Sequence, residues 1–351
     1  MAEYSHSQLD KYRQCPLQYK FVYVDGIKRK EEGIEAFLGQ RFHDAMEWLY
    51  GETAFRVPAL EEALGYYEKD WAAKWHDEIR IVRKDRTADD YRKMGRRFVE
   101  DYYRRHHPFE EGRVLGLERY IRFPLDKAGR YRFKGIIDRL MMAPDGVFEI
   151  HDYKTGSKLP NQREVDADRQ LALYQIGVEE LWPEARERGV RLVWHEVAFD
   201  VDLRSTRTAE ALEELKSETA ALIDRVEAAV AAGDLPLRES ALCDWCAYWD
   251  LCPAKKHLVK VKALTPDKWK DEPGVAIVDA YAERWRKRKE IEAEKDAVEK
   301  EMEAIREAAI AYAEKEGFQV IAGTEARLRV TSRDAVVSPK KGTEERQALE
   351  S

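Results

Sequence analysis

Asp138, Asp152 and Lys154 are the residues of this chain best suited to a shared chemistry. Asp138 closes the apolar run Gly135-Ile136-Ile137, and Asp152 and Lys154 end the next one, Phe148-Glu149-Ile150-His151. On neighbouring antiparallel strands the two carboxylates meet, and Asp152 and Lys154, two residues apart, point to one face. Two carboxylates and an ammonium suit Mg²⁺ or Mn²⁺, hard ions that take oxygen ligands and keep several waters. Such an ion lowers the pKa of a bound water and polarises a phosphodiester oxygen. The lysine would position the attacking hydroxide or neutralise charge growing on phosphorus. Alone, an Asp-x-Lys triplet reads as readily as a salt bridge at a strand end.

Four cysteines form the second constellation. Cys15 stands alone near the start, and Cys243, Cys246 and Cys252 cluster in Cys-Asp-Trp-Cys-Ala-Tyr-Trp-Asp-Leu-Cys-Pro. No basic-then-apolar leader opens the chain, so a cytoplasmic location is expected, where cysteines bind metal more often than they form disulfides. Four thiolates can hold tetrahedral Zn²⁺ or a [4Fe–4S] cluster. One isolated ligand and an unevenly spaced triplet are unlike the paired Cys-x-x-Cys knuckles of zinc ribbons.

The elements that must position these residues follow from pattern. At 351 residues, 44% hydrophobic and 37% charged, the chain can bury a large core and is not disordered throughout. No apolar run reaches the length of a membrane span. A net charge of −7 argues against coating nucleic acid broadly, but leaves room for a local basic surface. Helices are expected over 5–14, 35–50, 58–80 and 86–107, then β-like runs over 113–123, 130–142 and 147–153. A helix over 164–182, a strand over 190–200 and a helix over 206–232 complete a mixed α/β fold, a sheet flanked by helices. Beyond Pro273, a charged helix over 275–315 carries Ile291, Val298, Ile305 and Tyr312 at seven-residue intervals. A hairpin over 319–330 follows. The expected organisation is a domain over 1–255 with a helical insertion at about 55–110, an extension over 256–335, and a disordered tail over 336–351.

Gly-Ile-Ile-Asp-Arg, then Glu-Ile-His-Asp-Tyr-Lys-Thr-Gly, then Gln170-Leu171-Ala172-Leu173-Tyr174 resembles the PD-(D/E)XK nuclease superfamily. The resemblance extends to Gly39-Gln40-Arg41-Phe42-His43, similar to the Gly-x-x-x-His helix of the RecB-like and CRISPR-adaptation exonucleases. It implies a restriction-endonuclease-like sheet and a metal held by His43, Asp138, Asp152 and the Tyr153 carbonyl. Lys154 would be the catalytic lysine, and Gln170 and Tyr174 would face the site. Glu118 stands where such proteins often carry a further acid. The cysteine pattern resembles the iron–sulfur staple of that branch, which closes a body through which single-stranded DNA threads by its end. The proline of the superfamily's name is absent before Asp138, as it commonly is in that branch.

The resemblance thus implies a metal-dependent DNA exonuclease in repair, recombination or CRISPR-type processing. A structure-selective endonuclease on the same core, or a DNA-binding scaffold subunit of a helicase–nuclease complex, are the alternatives. No Gly-x4-Gly-Lys-Ser/Thr phosphate loop is present, so a helicase, or a recombination or CRISPR protein, would be a separate partner.

Overall fold

A computed structural model describes residues 2–126 and 128–331. The chain forms two compact units, one over Met1–Lys260 and a second beginning at Val261. The first has a mixed α/β architecture: a six-stranded sheet flanked by helices. Its strands are β1 (Ala2–Ser5), β2 (Arg113–Pro124), β3 (Tyr131–Met142), β4 (Phe148–Lys154), β5 (Val190–Glu196) and β6 (Val201–Ser205).

The strand pairing creates a notch. One edge of β3 pairs antiparallel with β2 from Pro124–Arg132 to Arg113–Met142. The other edge is shared: β1 runs parallel along residues 131–134, and β4 runs antiparallel along 139–142. Gly135 to Asp138 lie between the two partners and pair with neither. The β4 backbone that faces this gap must find other partners, and a side chain supplies one. The Tyr153 N–H donates to Asp138 Oδ2 at 2.9 Å.

Helices cover both faces. α1 (His6–Gln14) starts on a Ser5 cap whose hydroxyl accepts the Gln8 N–H. α2 (Ile34–Glu52), α3 (Leu60–Lys74) and α4 (Ala88–His106) build one core around Phe37, Phe42, Tyr67, Phe98 and Tyr153. α5 (Gln170–Leu181) and α6 (Ala209–Ala232) enclose the other with Phe133, Ile137, Leu140, Ile150 and Trp194.

Three local features depart from the sequence expectation. β1 was not anticipated: four mostly polar residues carry no alternating signal, and their pairing is long-range. The strand expected to reach 200 stops at Glu196, turns with Asp200 at φ 53°, and returns antiparallel as β6. The helix expected from 164 breaks, and Asp168 Oδ1 accepts the Leu171 N–H at 3.0 Å to begin α5, which places Gln170 in its first turn.

In the second unit α7 (Pro273–Glu316) is capped by the Glu272 carboxylate on the Val275 N–H and ends at Gly317, φ 73°. Ile291, Val298, Ile305 and Tyr312 are exposed along it. The hairpin of β7 (Val320–Ala322) and β8 (Arg327–Arg329) follows, closed by Gly323 N–H to the Ala326 carbonyl. The tail expected over 336–351 lies outside the described residues.

Candidate active site

The notch and the two helices beside it gather charged groups from distant parts of the chain. α2 passes close to the end of β4 because Gly39 has no side chain; a Cβ there would sit 3.1 Å from Thr155 Oγ1. One turn further on, the His43 ring bridges Asp138 and the Tyr153 carbonyl, with Nδ1 3.4 Å from Asp138 Oδ2 and Nε2–H donating to the carbonyl at 3.0 Å. Burial opposes charging this imidazole, but the hydrogen bond and charge of Asp138, with Asp152 beyond, bring it up to about 9. A cation among these oxygens would displace that proton and leave the ring free to ligate it.

Glu118 completes this group. Donor atoms of His43, Glu118 and Asp138 lie within 4.8 Å of one another. Burial, then the charge of Asp138, pushes the Glu118 carboxyl up to about 7. Its backbone is left-handed, φ 41°, which is costly for a side-chain-bearing residue. That twist reverses the alternation of β2: Leu117 packs on the core of α2 to α4, while Ile121 and Phe123 enter the other core. β3 switches faces at Asp138, with Ile137 in one core and Arg139 buried against α4. Glu118 and Asp138 thus stand where both strands change sides.

Asp152 and Lys154 form a second set from the same strand. Asp152 Oδ2 lies 2.6 Å from Lys154 Nζ, Lys154 donates to Gln170 Oε1 at 3.0 Å, and Gln170 Nε2 donates to Asp152 Oδ1 at 3.0 Å. The triangle holds the lysine in one orientation. Burial pushes the Asp152 carboxyl up to about 6 although Lys154 pulls it down. Burial works against the Lys154 ammonium as well, but the Asp152 charge prevails and raises it. Tyr174 lies at 3.4 Å from Gln170 Nε2, and its ring lies against Gly135; a Cβ there would fall 2.3 Å from the ring.

All the residues singled out for this site therefore lie at the notch, but not as one ligand shell. His43, Asp138 and the Tyr153 carbonyl meet together with Glu118, whereas Asp152 is turned to Lys154 and Gln170. Sequence reading missed Glu196, the register partner of Lys154 on β5, buried and pushed up to about 7 by burial and then by Asp152 against the pull of Lys154. Its one signal was an acid ending an apolar strand.

The four-cysteine expectation is corrected. The cysteines are free and partly exposed, and all four line a small cavity of about 50 Å³. Among the described residues the groups close enough to share an ion are His43–Glu118–Asp138 and His106–His195–Asp202, and neither includes a cysteine. The [4Fe–4S] cluster and the zinc alternative at Cys15, Cys243, Cys246 and Cys252 are both withdrawn. Ordinary contacts join these segments instead. Leu17 N–H donates to the Pro236 carbonyl, Tyr248 OH to the Ile27 carbonyl at 2.8 Å, and Arg29 pairs with Asp250. Tyr248 stacks on Phe21, which accounts for that aromatic as packing.

The second close group, His106–His195–Asp202, belongs to a sealed network on the other side of β4. Arg139, 1% exposed, stacks 3.7 Å over Tyr50 and donates to Tyr102 OH, His151 Nδ1 and His195 Nε2. His195 Nδ1–H donates to Asp202 at 2.7 Å, and His106 Nδ1 meets Glu111 at 2.7 Å. Asp202 is also paired with Arg105. Two guanidiniums beside it make this a hydrogen-bond network rather than a cation site.

The site is thus a notch in a mixed sheet, lined by acidic groups and a clamped lysine. Residues 3–253 match the PD-(D/E)XK nuclease superfamily, and the chain belongs to it. The match singles out no branch, so with the cysteine staple withdrawn the RecB-like and CRISPR-adaptation assignment is withdrawn too. No curated protein matches the chain. Among solved structures it is similar to a provisionally named exonuclease from Eubacterium rectale, at 14% identity, over 72% of this chain and 86% of that one, TM-score 0.41. It is also similar to SSO0001, at 13% identity, over 71% and 95%, TM-score 0.30. Among the described residues no helix is long and apolar enough to cross a membrane.

Proposed function

We propose that this chain is a Mg²⁺- or Mn²⁺-dependent deoxyribonuclease that hydrolyses single-stranded DNA from its ends. The observation that carries the reading is the meeting of His43, Glu118 and Asp138 beside the Asp152–Lys154–Gln170 triangle.

The donors fit a hard divalent cation. Carboxylates and a backbone carbonyl are its preferred ligands, and Glu118 and Asp152 both sit above their ordinary carboxyl range, as crowded acids do without a cation among them. His43, Asp138, Glu118 and the Tyr153 carbonyl would hold it, with Asp152 adjoining. When bound it would lower the pKa of a water and polarise the phosphate. Lys154 stays charged throughout and is aimed by Asp152 and Gln170, so it can meet the charge that grows on the phosphoryl oxygens. Gln170 fixes the lysine, and Tyr174 walls the notch over Gly135. The recess itself favours a thin substrate: Asp152 is 3% exposed and the Lys154 side chain 36%. An extended strand reaches such groups more readily than a duplex does.

The test compares wild type with Lys154→Ala on linear single strands, linear duplexes and closed single-stranded circles, with Mg²⁺ or Mn²⁺. Loss of linear strands with circles spared, absent in the variant, is the expected result. Cut circles would make it an endonuclease. Cleavage by Lys154→Ala at the wild-type rate would remove the lysine from the chemistry.

A further inference from the structure

We infer that the exposed face of the β2–β3 ribbon next to the notch is a binding track for the single strand, with Tyr120 stacking on a base and Arg122 and Lys134 meeting phosphates. This rests on the nuclease reading above.

Cross-strand register puts paired residues on one side of the ribbon, rung by rung. At the notch this face begins with Glu118 and Asp138, whose carboxylate oxygens lie within 4.8 Å of each other. The next on that side is Tyr120 opposite Ile136, and the next Arg122 opposite Lys134, followed by Pro124 opposite Arg132. The intervening residues Ile121, Phe123, Phe133 and Ile137 are buried in the core on the far side, so the alternating set faces away from it. Tyr120 is 53% and Ile136 49% exposed. Two large apolar side chains directly opposite each other, uncovered beside charged site residues, make a flat surface suited to a base.

The order of charge along this face matches one substrate. It runs from two carboxylates, through an aromatic–aliphatic pair, to Arg122, Lys134 and Arg132, with Glu3 the acid bridging Arg122 and Lys134. A strand laid along it puts one phosphate at the acidic rung and others at the basic rungs. Rungs on one face are about 7 Å apart, close to the stride of one nucleotide in an extended single strand. On α4, Arg92, Lys93, Arg96, Arg97 and Arg104 pair with acids on their own or the neighbouring helix, and Arg105 with Asp200 and Asp202. The β2–β3 ribbon is a basic surface contiguous with the notch.

The test is fluorescence anisotropy of the full chain with a labelled 15-nucleotide DNA single strand in Ca²⁺, together with steady-state cleavage in Mg²⁺ or Mn²⁺. Tyr120→Ala should weaken binding about tenfold, and KM should rise more than kcat falls. Tyr120→Trp should restore binding, which a merely structural role would not. Arg122→Gln with Lys134→Gln should lower the salt dependence by about 0.7 in log–log slope for each phosphate the variant no longer neutralises. If wild type cleaves single strands and Tyr120→Ala binds them equally well, the track is wrong and the nuclease reading stands. If wild type neither binds nor cuts them with any of these ions, both fall.

Discussion

Alternate residues of one short strand feed two polar clusters of opposite character. Asp152 and Lys154 of β4 turn toward α5 and the notch, while Glu149, His151 and Tyr153 turn toward α4. Both sets are largely buried and both are charged. On the α4 side the charges are balanced: His151 and His195 are kept neutral by burial and by Arg139, with His195 lowered to about 4, and Asp202 is brought down to about 2 against its burial by the His195 hydrogen bond. On the notch side Glu118, Asp152 and Glu196 all lie above the ordinary carboxyl range, and Glu118 has strained backbone as well. The sealed side is arranged for its own stability. The open side holds unfavourable charge that a cation would relieve, and such imbalance marks functional sites more than structural ones.

Substituting one residue from each cluster should break that comparison most sharply. Asp152→Asn should lower cleavage on the order of a thousandfold and leave the melting temperature near wild type. Arg139→Leu should do the reverse: the site residues stay in place, but Tyr102, His151 and His195 lose their shared donor. The expected cost is about 3 kcal/mol, read as a lower urea midpoint, with the folded fraction still cutting DNA. An active-site role for Arg139 would be indicated if its loss abolished cleavage without moving that midpoint.

Glu196 offers a smaller effect with a defined pH signature. Its folded carboxyl is raised from 4.5 to about 7. The folded state therefore holds the proton more tightly than the unfolded chain, so this contribution is full below pH 4.5 and is lost as pH rises through 7. Glu196→Gln keeps the shape and removes the charge. It should match wild type at about pH 4 and be more stable at about pH 8, by on the order of 3 kcal/mol. Equal stability at both pH values would mean that the carboxylate is solvated or fully paired at neutral pH.

Much of this arrangement was legible in the chain, for reasons that also explain the gaps. β2, β3 and β4 announce themselves by alternation and by turns such as Asp126 to Gly129, so Asp138 and Asp152 could be placed on neighbouring strands. Gln170 and Tyr174 are one turn apart and needed only a helix. The notch was not legible, because it arises from β1, whose four residues pair with β3 across more than a hundred positions. Glu118 could be named only as a possible accessory, since nothing local reveals a left-handed residue that is not glycine. The cysteines misled because spacing along a chain does not fix sulfur positions: three lie on a short turn and the loop after it, the fourth follows α1, and the segments are already joined by the Leu17–Pro236 main-chain hydrogen bond and by side-chain contacts.

The smallest prediction tests how the notch is held to its dimensions. Gly39 lies one turn before His43, and the space for its absent Cβ is bounded by Thr155 Oγ1 at 3.1 Å. Gly39→Ala improves helix propensity by about 1 kcal/mol, and crowding against Thr155 opposes that gain. Net stability should change by less than about 1 kcal/mol. Activity should fall further than stability does, because His43 must keep its contacts with both Asp138 and the Tyr153 carbonyl when α2 is pushed outward. Thr155→Ala removes the obstructing oxygen, so the double variant should regain activity that Gly39→Ala loses, a coupling readable from a double-mutant cycle. If the two changes are simply additive, α2 is not positioned by this contact, and the closeness of Gly39 to the strand end is incidental to the site.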